Sequence, residues 1–363
     1  MKDSFSAYWR DLAEGRRSEP GDRLLILLLA PFSLVYSLVQ RVRAGFYKLG
    51  ILRSSRLPRP VISIGNITVG GTGKTPVTAH IARLLLRQGY RVAVLSRGYG
   101  GSLEGQNVVV SDGATVMLGP AECGDEPYLL ATTIPGLMVV IGSDRHAAGL
   151  LAMRQLSPDV FLLDDGFQHL RLRRDLNILL LDHSHPYGNG WTLPAGLLRE
   201  PADAGKRADL IIHTRCPQGA AAHPATAGTL ACNARHRIVD LLPLLGGDPL
   251  SLPCPAPRKA MAFAGIADPA GFFEELRSLG FELVHTIRFP DHTTYDESEL
   301  AIIFDSMRHH RAEVAITTEK DGVKLKGLSR NRGVAIVLAR LELVIDDPSL
   351  LHESLRNLLQ NKR

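Results

Sequence analysis

The fold is decided by the stretch VISIGNITVGGTGKTP at residues 61–76. An apolar run comes first, a glycine-rich turn follows, and Pro76 suits the first turn of a helix, where its missing N–H costs nothing. Gly70, Gly71 and Gly73 allow backbone N–H groups to turn inward around an anion, and the helix N-terminus adds partial positive charge. This order predicts a P-loop that binds nucleotide phosphates through Thr68, Val69, Gly70, Gly71, Thr72, Gly73, Lys74 and Thr75.

Two side chains of the predicted loop have specific roles. Lys74 is expected to reach the β and γ phosphates of ATP, and the Thr75 hydroxyl to ligate Mg²⁺. One position departs from the usual G-x-x-x-x-G-K-[ST] spacing, because Thr68 stands where the first glycine is expected. Val69 occupies the place of the signature lysine of ParA- and MinD-like ATPases, and this disfavours that regulatory class.

A second carboxylate for Mg²⁺ is predicted in VFLLDDG, residues 160–166. A P-loop needs such a group at the end of an apolar strand. Asp164 and Asp165 stand there, and two adjacent carboxylates are costly unless a cation lies close. The alternative is a DDG turn that only closes the strand.

A doubly wound α/β sheet is predicted around the loop, because short apolar runs alternate with helical patterns from about residue 59. Strands are predicted at 61–65, 91–96, 137–142, 160–164, 177–182 and 210–214. Residues rich in Pro, Gly and Ala then predict a connection before a second, smaller α/β lobe. The predicted division is 1–56, a membrane-associated segment; 57–216, the P-loop core; 217–258, the connection; and 259–363, the smaller lobe.

The amino-terminal segment contains an uncharged apolar run at 24–39 with basic residues on both sides. The run is shorter than the ~20 residues that cross a bilayer, and Pro31 interrupts it. We therefore expect a helix or a broken helical hairpin that enters one leaflet while its basic flanks meet anionic headgroups. A core helix or an oligomer contact is the alternative.

Composition narrows the classes of partner. The chain has 363 residues, 45% of them hydrophobic, and a formal charge of +5. This excess is small for a nucleic-acid binder, and no basic stripe with interleaved aromatic residues is present, so a phosphorylated or membrane partner fits better. The four cysteines form no CxxC pair, which gives no local sign of a zinc or dithiol centre and favours reduced thiols in the cytosol.

Isolated polar clusters supply further candidates, each with an ordinary alternative. Asp125 in GDEPYLLA is either a helix cap or a general base. Arg145 in IGSDRHAAG could clamp a phosphate or be a helix-start charge. Arg199 and Glu200 in LPAGLLREP could be a solvated pair, and His292 in FPDHTTYD an unpaired surface histidine.

Taken together, the motifs resemble those of the bacterial lipid A 4′-kinases (tetraacyldisaccharide 4′-kinases). The segments that carry the resemblance run in order from about residue 60 to 325: VGGTGKTP, LSRGYGG, GDEPYLLA, IGSDR, DDGFQHLRLRRDLNILLLD, LPAGLLREP, AFAGIADP, FPDHTTY and TTEKDGVKL. The resemblance implies transfer of the γ-phosphoryl of ATP to the 4′-hydroxyl of a tetraacylated, 1-phosphorylated glucosamine disaccharide, in lipid A biosynthesis.

The resemblance also implies roles for site residues. Asp125 becomes the base with His292 tuning it, and Asp164 or Asp165 serves Mg²⁺. Arg145, His169, Arg199 and Glu200 become site residues that contact phosphate or orient substrate. The resemblance also implies that variation at the first P-loop glycine is tolerated, so Thr68 weighs less as a departure from the motif.

An acylated acceptor implies a location as well. Each buried CH₂ contributes about 0.8 kcal/mol to membrane binding, so an acylated acceptor stays in the bilayer. The enzyme must therefore act at the membrane surface. We expect a peripheral or monotopic enzyme at the cytoplasmic face of the bacterial inner membrane, with no nucleic acid and no obligate protein partner.

Two other hypotheses stay open. One is a P-loop NTPase switch that binds a protein or membrane partner, although a GTPase should carry N-K-x-D, and the nearest match, TTEKDG, lacks the Asn. The other is a soluble small-molecule kinase in which 24–39 is a structural helix.

Overall fold

The computed structural model describes residues 2–221, 229–246, 248–254, 258–266, 268–291, 293–325 and 335–360. In this part of the chain the α-helices are α1 Lys2–Ala13, α2 Pro20–Lys48, α3 Lys74–Arg87, α4 Pro120–Cys123, α5 Asp125–Thr133, α6 Arg145–Gln155, α7 Pro269–Ser278, α8 Glu297–His309, α9 Glu319–Leu325 and α10 Ser349–Gln360. The strands are β1 Val61–Asn66, β2 Val92–Ser96, β3 Val108–Asp112, β4 Met138–Ile141, β5 Val160–Asp164, β6 Leu176–Asp182, β7 Leu210–Thr214, β8 Leu230–Pro243, β9 Arg258–Ala264, β10 Phe281–Arg288, β11 Val314–Thr318 and β12 Ile336–Ile345.

The chain forms two compact units. The first consists of residues 1–96, 144–235 and 345–363, and the second of residues 97–143 and 236–344. This grouping differs from the predicted division, because residues 97–143 were expected in the P-loop core and belong to the second unit.

The first unit has a parallel sheet in the order β7-β6-β1-β5-β2, with the start of β8 beside β7. Every residue of β1 is buried, as expected of a central parallel strand covered on both faces. Val77, Ile81 and Leu85 of α3 are fully buried on one face of that helix. The predicted α/β class is confirmed, and the P-loop follows the middle strand.

The second unit has strands in the order β10-β9-β11-β12, with the end of β8 beside β12, and it also contains the antiparallel pair of β3 and β4. Successive residues of β9 point to opposite faces. Ala262 packs in the cluster that holds Phe273 of α7, and Phe263 in the cluster that holds Ile303 of α8.

The predicted connection at 217–258 contains a long strand. β8 covers 14 residues, and Cys232, Ala234, Ile238 and Leu241 are buried along it. Pro- and Gly-rich stretches on either side of β8 obscured this apolar pattern in the sequence. Residues 222–228, 247 and 255–257 lie outside the described part of the chain.

The amino-terminal helix α2 is one continuous helix of 29 residues with Pro31 inside it, rather than a broken hairpin. It is the one helix in the described residues that is long and apolar enough to cross a membrane, and it is mostly exposed. One side of α2 contacts the loop at 191–203. The Ser33 hydroxyl donates to the Thr192 carbonyl at 2.8 Å, and Arg41 pairs with Asp203 at 3.3 Å.

Candidate active site

The P-loop connects β1 to α3 at the carboxyl end of the first unit's sheet. Gly73 caps α3 with a φ of 78°, a left-handed conformation that favours glycine. Lys74 and Thr75 are therefore the first two residues of the helix, and Pro76 follows in its first turn. Thr68 is buried and forms an antiparallel bridge with Leu198.

The carbonyl groups of the loop are held from the far end of β7. The Thr214 hydroxyl donates to the Thr72 carbonyl at 2.8 Å, and the Arg215 guanidinium donates to the Gly71 carbonyl. Arg215 also pairs with Asp182 at 2.7 Å. With these carbonyl oxygens engaged, the N–H groups of the same peptides are oriented away from them, which is the requirement for an anion cradle.

Asp165 lies between two cations. Its carboxylate is 3.8 Å from Lys74 Nζ and 3.0 Å from Arg199 Nη1. Burial by itself would raise the pKa of the Asp165 carboxyl, but Lys74, Arg199 and Arg145 outweigh it and hold that pKa below its ordinary value. Asp165 also has a φ of 52°, an uncommon conformation for a residue other than glycine. The charged carboxylate is thus fixed beside the P-loop lysine.

Asp164 is buried at the end of β5 and has a different environment. Its Oδ1 accepts a hydrogen bond from the Thr78 hydroxyl on α3 at 3.2 Å, and its backbone lies opposite Ile64 of β1. No group of three or more His, Cys, Asp or Glu side chains in the described ranges could hold a metal by itself. Mg²⁺ in kinases needs only one or two carboxylates together with substrate phosphates, so Asp164, Asp165 and Thr75 fit this ion.

The segment carrying Arg199 and Glu200 runs along the P-loop. Val69 N–H donates to the Leu197 carbonyl at 2.8 Å, and Arg199 N–H donates to the Ile67 carbonyl at 2.7 Å. Arg199 reaches Asp165, whereas the buried Glu200 pairs with Arg207 at 2.5 Å. The two neighbouring side chains therefore serve different groups, and neither is part of a solvated pair.

Arg145 and His169 are also in the first unit. Arg145 is buried at the start of α6, while Asp144 is the cap of this helix and accepts from the His146 and Ala147 N–H groups. Burial, and then the charge of Arg145, lower the pKa of His169 to about 4. His169 is therefore neutral at physiological pH, and no described residue bonds its buried Nε2.

Asp125 belongs to the second unit, as the first residue of α5. The helix cap is Gly124, with a φ of 87° and so little room that a Cβ would lie 2.6 Å from the Tyr99 carbonyl oxygen. Asp125 is therefore not the cap. Its carboxylate lies 2.8 Å from Lys324 Nζ of α9, and both side chains are mostly buried.

The residues on both sides of position 292 contact the lysines of α9, one of which is the partner of Asp125. Lys324 Nζ donates to the Thr293 carbonyl at 2.9 Å, and Lys320 Nζ lies 3.1 Å from Asp291 and 3.8 Å from Glu126. His292 itself lies outside the described residues. The lysine that pairs with Asp125 thus also binds the residue that follows His292.

A family model described as LpxK, tetraacyldisaccharide-1-P 4′-kinase, matches residues 25–360 of this chain. The chain belongs to the tetraacyldisaccharide 4′-kinase family. It is 61% identical over 360 residues to the tetraacyldisaccharide 4′-kinase of Pelobacter propionicus, covering 99% of this chain and 100% of the relative. It is 54% identical over 341 residues to that of Geobacter metallireducens, covering 93% and 99%.

The structure is also similar to a crystal structure of the "apo" form of LpxK from Aquifex aeolicus in complex with ATP. The TM-score is 0.74 at 33% sequence identity, with 92% of this chain and 99% of that chain covered. The predicted family, kinase function and enzyme class are confirmed. A P-loop switch without a small acceptor is excluded.

In each of the two units, several residues with polar contacts described above could not be assigned from the sequence. Arg215 and Thr214 hold the P-loop from β7, and Thr78 binds Asp164. Lys320 and Lys324 stand in TTEKDGVKL, a segment that carried the resemblance without a role for either lysine. The sequence feature that could have indicated these two lysines is their spacing. Residues four apart on a short helix lie on one face of it.

Proposed function

We propose that the first unit binds ATP at residues 68–75 and that the chain transfers its γ-phosphoryl to the 4′-hydroxyl of a tetraacylated disaccharide 1-phosphate. The observation that carries this proposal is the arrangement of Lys74, Asp165 and Arg199 beside the P-loop. Phosphoryl transfer depends on positioned cations and on a metal-binding carboxylate, and these three side chains supply both.

Mg²⁺ is part of the proposal. Asp164, Asp165 and Thr75 would hold it, and when bound it would neutralise developing charge on the phosphates. Lys74 and Arg199 contact Asp165 directly, so they fix its carboxylate and contribute positive charge at the same place. Arg145 adds a third, buried cation, and Glu200 and Arg207 support the segment that carries Arg199.

Asp125 is the proposed general base that accepts the proton of the 4′-hydroxyl, with His292 as its partner. Lys324 contacts both the Asp125 carboxylate and the Thr293 carbonyl, which supports placing the two proposed partners near each other. Lys324 holds the carboxylate in one orientation, and a fixed orientation is what general-base catalysis needs.

The proposed function is tested by following phosphate onto the lipid. The purified chain is incubated with ATP, Mg²⁺ and a tetraacylated disaccharide 1-phosphate in detergent micelles, and the lipid is measured by mass spectrometry. We expect one added phosphate, located on the distal sugar by fragmentation. ATP hydrolysis at the same rate with and without lipid, and no phosphorylated lipid, would reject the proposal.

We further propose that α2 binds the surface of the cytoplasmic leaflet. Leu28, Phe32 and Val35 are more than half exposed on its outer side, whereas Ser33 and Ser37 on the opposite side bond to Thr192. A helix bound to a folded loop along one side cannot be surrounded by lipid there. This geometry favours a helix that lies in the interface over one that crosses the bilayer.

This membrane proposal gives a flotation experiment. Changing Leu28, Phe32 and Val35 to Asp removes apolar side chains that each contribute about 1.5–3 kcal/mol on full burial, so partition into anionic liposomes should fall more than about a hundredfold. The control is Ile302→Asp, which changes an apolar residue that is half exposed on α8. Unchanged flotation of the triple variant, with helicity intact by circular dichroism, would contradict the proposal.

A further inference from the structure

Asp321 is a buried carboxylate that the proposed mechanism does not use. It lies on α9 between Lys320 and Lys324, and none of its surface is exposed. Burying a carboxylate costs free energy unless hydrogen bonds compensate for the lost water, so the partners of Asp321 show which segments it joins.

One oxygen of Asp321 joins two strand ends. Its Oδ2 accepts from the Gly265 N–H at 3.1 Å and from the Thr318 hydroxyl at 2.8 Å. Gly265 directly follows β9, and Thr318 is the last residue of β11, which lies beside β9. The Thr318 hydroxyl oxygen also accepts from the Asp321 N–H at 3.1 Å. The start of α9 is therefore bound to the carboxyl ends of both strands.

The other oxygen of Asp321 faces Tyr295. A Cβ added to Gly265 would lie 3.0 Å from Asp321 Oδ1 and 3.2 Å from the Tyr295 hydroxyl, so both atoms border the space beside this glycine. Both atoms are buried, and neither bonds to any other group among the described residues. Burial, and then the charge of Asp321, raise the pKa of Tyr295, so its hydroxyl keeps the proton that it can donate to Oδ1.

Two lysines of α9 contact the same chain segment that Asp321 faces. Lys320 Nζ lies 3.1 Å from Asp291, and Lys324 Nζ donates to the Thr293 carbonyl at 2.9 Å. These two contacts lie just before the tyrosine in the sequence. Three side chains of one seven-residue helix thus reach this segment.

The same lysines reach consecutive residues of α5. Lys324 Nζ lies 2.8 Å from the Asp125 carboxylate, and Lys320 Nζ lies 3.8 Å from Glu126. Both lysines move with α9, so a displacement of this helix changes both contacts at once. Asp321 lies between them, and its hydrogen bonds attach the helix to the strand ends.

We propose that Asp321 is a positioning residue for Asp125. It fixes α9 to the ends of β9 and β11 and to Tyr295, and α9 in turn holds the lysine that orients the Asp125 carboxylate. This inference rests on the proposed function and adds to it a residue that touches no reactant. A general base must lie within hydrogen-bonding distance of the hydroxyl, and a displacement of about 1 Å can cost about 10²-fold in rate.

The test measures lipid phosphorylation and thermal unfolding of two variants and one control. Asp321→Ala removes both oxygens. Tyr295→Phe removes only the hydroxyl, while the ring keeps its contacts with Phe263 and Phe289. Glu275→Ala is the matched control, since Glu275 is a partly buried carboxylate on α7 of the same unit that also accepts from a backbone N–H.

We expect Asp321→Ala to lower kcat about 10-fold and Tyr295→Phe about fivefold, with the KM of ATP within about twofold in both. Glu275→Ala should lower the unfolding temperature, as Asp321→Ala does, but keep kcat within about twofold. In an Asp125→Asn background neither Asp321→Ala nor Tyr295→Phe should lower kcat further, because the effect of each passes through the Asp125 carboxylate.

An equal fold-loss of kcat with and without the Asp125→Asn change would show that Asp321 supports only the fold, and this would overturn the inference. A kcat within about twofold of the unmodified chain in both variants would overturn it as well. If Asp321→Ala does not fold, Tyr295→Phe decides by the same two criteria. An unmodified chain that phosphorylates no lipid rejects the proposed function and this inference with it, whereas an active unmodified chain with unaffected variants rejects the inference alone.

Discussion

Asp125→Asn is expected to lower kcat by about 10²- to 10⁴-fold, the usual contribution of a general base. An amide has nearly the same shape as the carboxylate but cannot accept the proton of the acceptor hydroxyl. The KM of ATP should remain within about twofold, because the P-loop contacts described above do not involve Asp125. Steady-state rates at saturating acceptor, with lipid phosphorylation as the readout, measure the effect.

A structural role for Asp125 predicts a different result. If the carboxylate only held Lys324, then Lys324→Met would reproduce the loss, and the double variant would be no worse than either single variant. General-base catalysis instead predicts that Lys324→Met retains much more activity than Asp125→Asn. Asp305→Asn is a control, since Asp305 is an exposed carboxylate of the same unit that pairs with Arg308.

The P-loop and the strand with the double aspartate could be predicted because each is a local pattern. Three glycines, a lysine and a threonine in order specify a phosphate loop, and an apolar run ending in Asp164 and Asp165 specifies a strand end. The parallel register of β1 with β5 then brings the two segments together. The 16 residues at 61–76 carry the first pattern, and the 7 residues at 160–166 carry the second.

The partners of these segments could not be predicted, because they come from distant parts of the chain. Arg215 binds the Gly71 carbonyl across 144 residues of sequence. Lys324 likewise pairs with Asp125, although the two residues are far apart in the sequence. Nothing near Arg215 in sequence distinguishes it from an ordinary surface cation, and the spacing of Lys320 and Lys324 places both on one helix face without indicating a partner. Such pairings follow from how the strands assemble, and one sequence does not specify that assembly.

The roles of Asp164 and Asp165 illustrate the same limit. In the sequence they are equivalent neighbours at a strand end. The backbone turns at Asp165, where φ is 52°, so its carboxylate meets Lys74 and Arg199 while Asp164 remains within hydrogen-bonding distance of Thr78. The difference between the two carboxylates therefore arises from a local backbone conformation that residue type alone does not favour.

Lys74→Met is expected to lower kcat by about 10²- to 10³-fold, similar to the removal of one preorganised donor from a site of developing charge. Methionine keeps the length of the side chain and removes its charge. The loss also leaves Asp165 with one fewer cation, so the pKa of its carboxyl should rise toward the ordinary value. ATP affinity, measured by calorimetry, should weaken as well, because the proposed contact of the ammonium with the phosphates would also be made in the ground state.

Two comparisons separate this role from a general effect of charge on α3. Arg87→Met removes an exposed cation from the last turn of the same helix and should leave kcat and ATP affinity within about twofold. Lys74→Arg keeps the charge but replaces a compact ammonium with a planar fork, so it should restore ATP affinity more than kcat. If Lys74→Met instead retained more than half of the wild-type kcat, the phosphoryl group would not be stabilised by this lysine, and Arg199 and Arg145 would be the cations to examine.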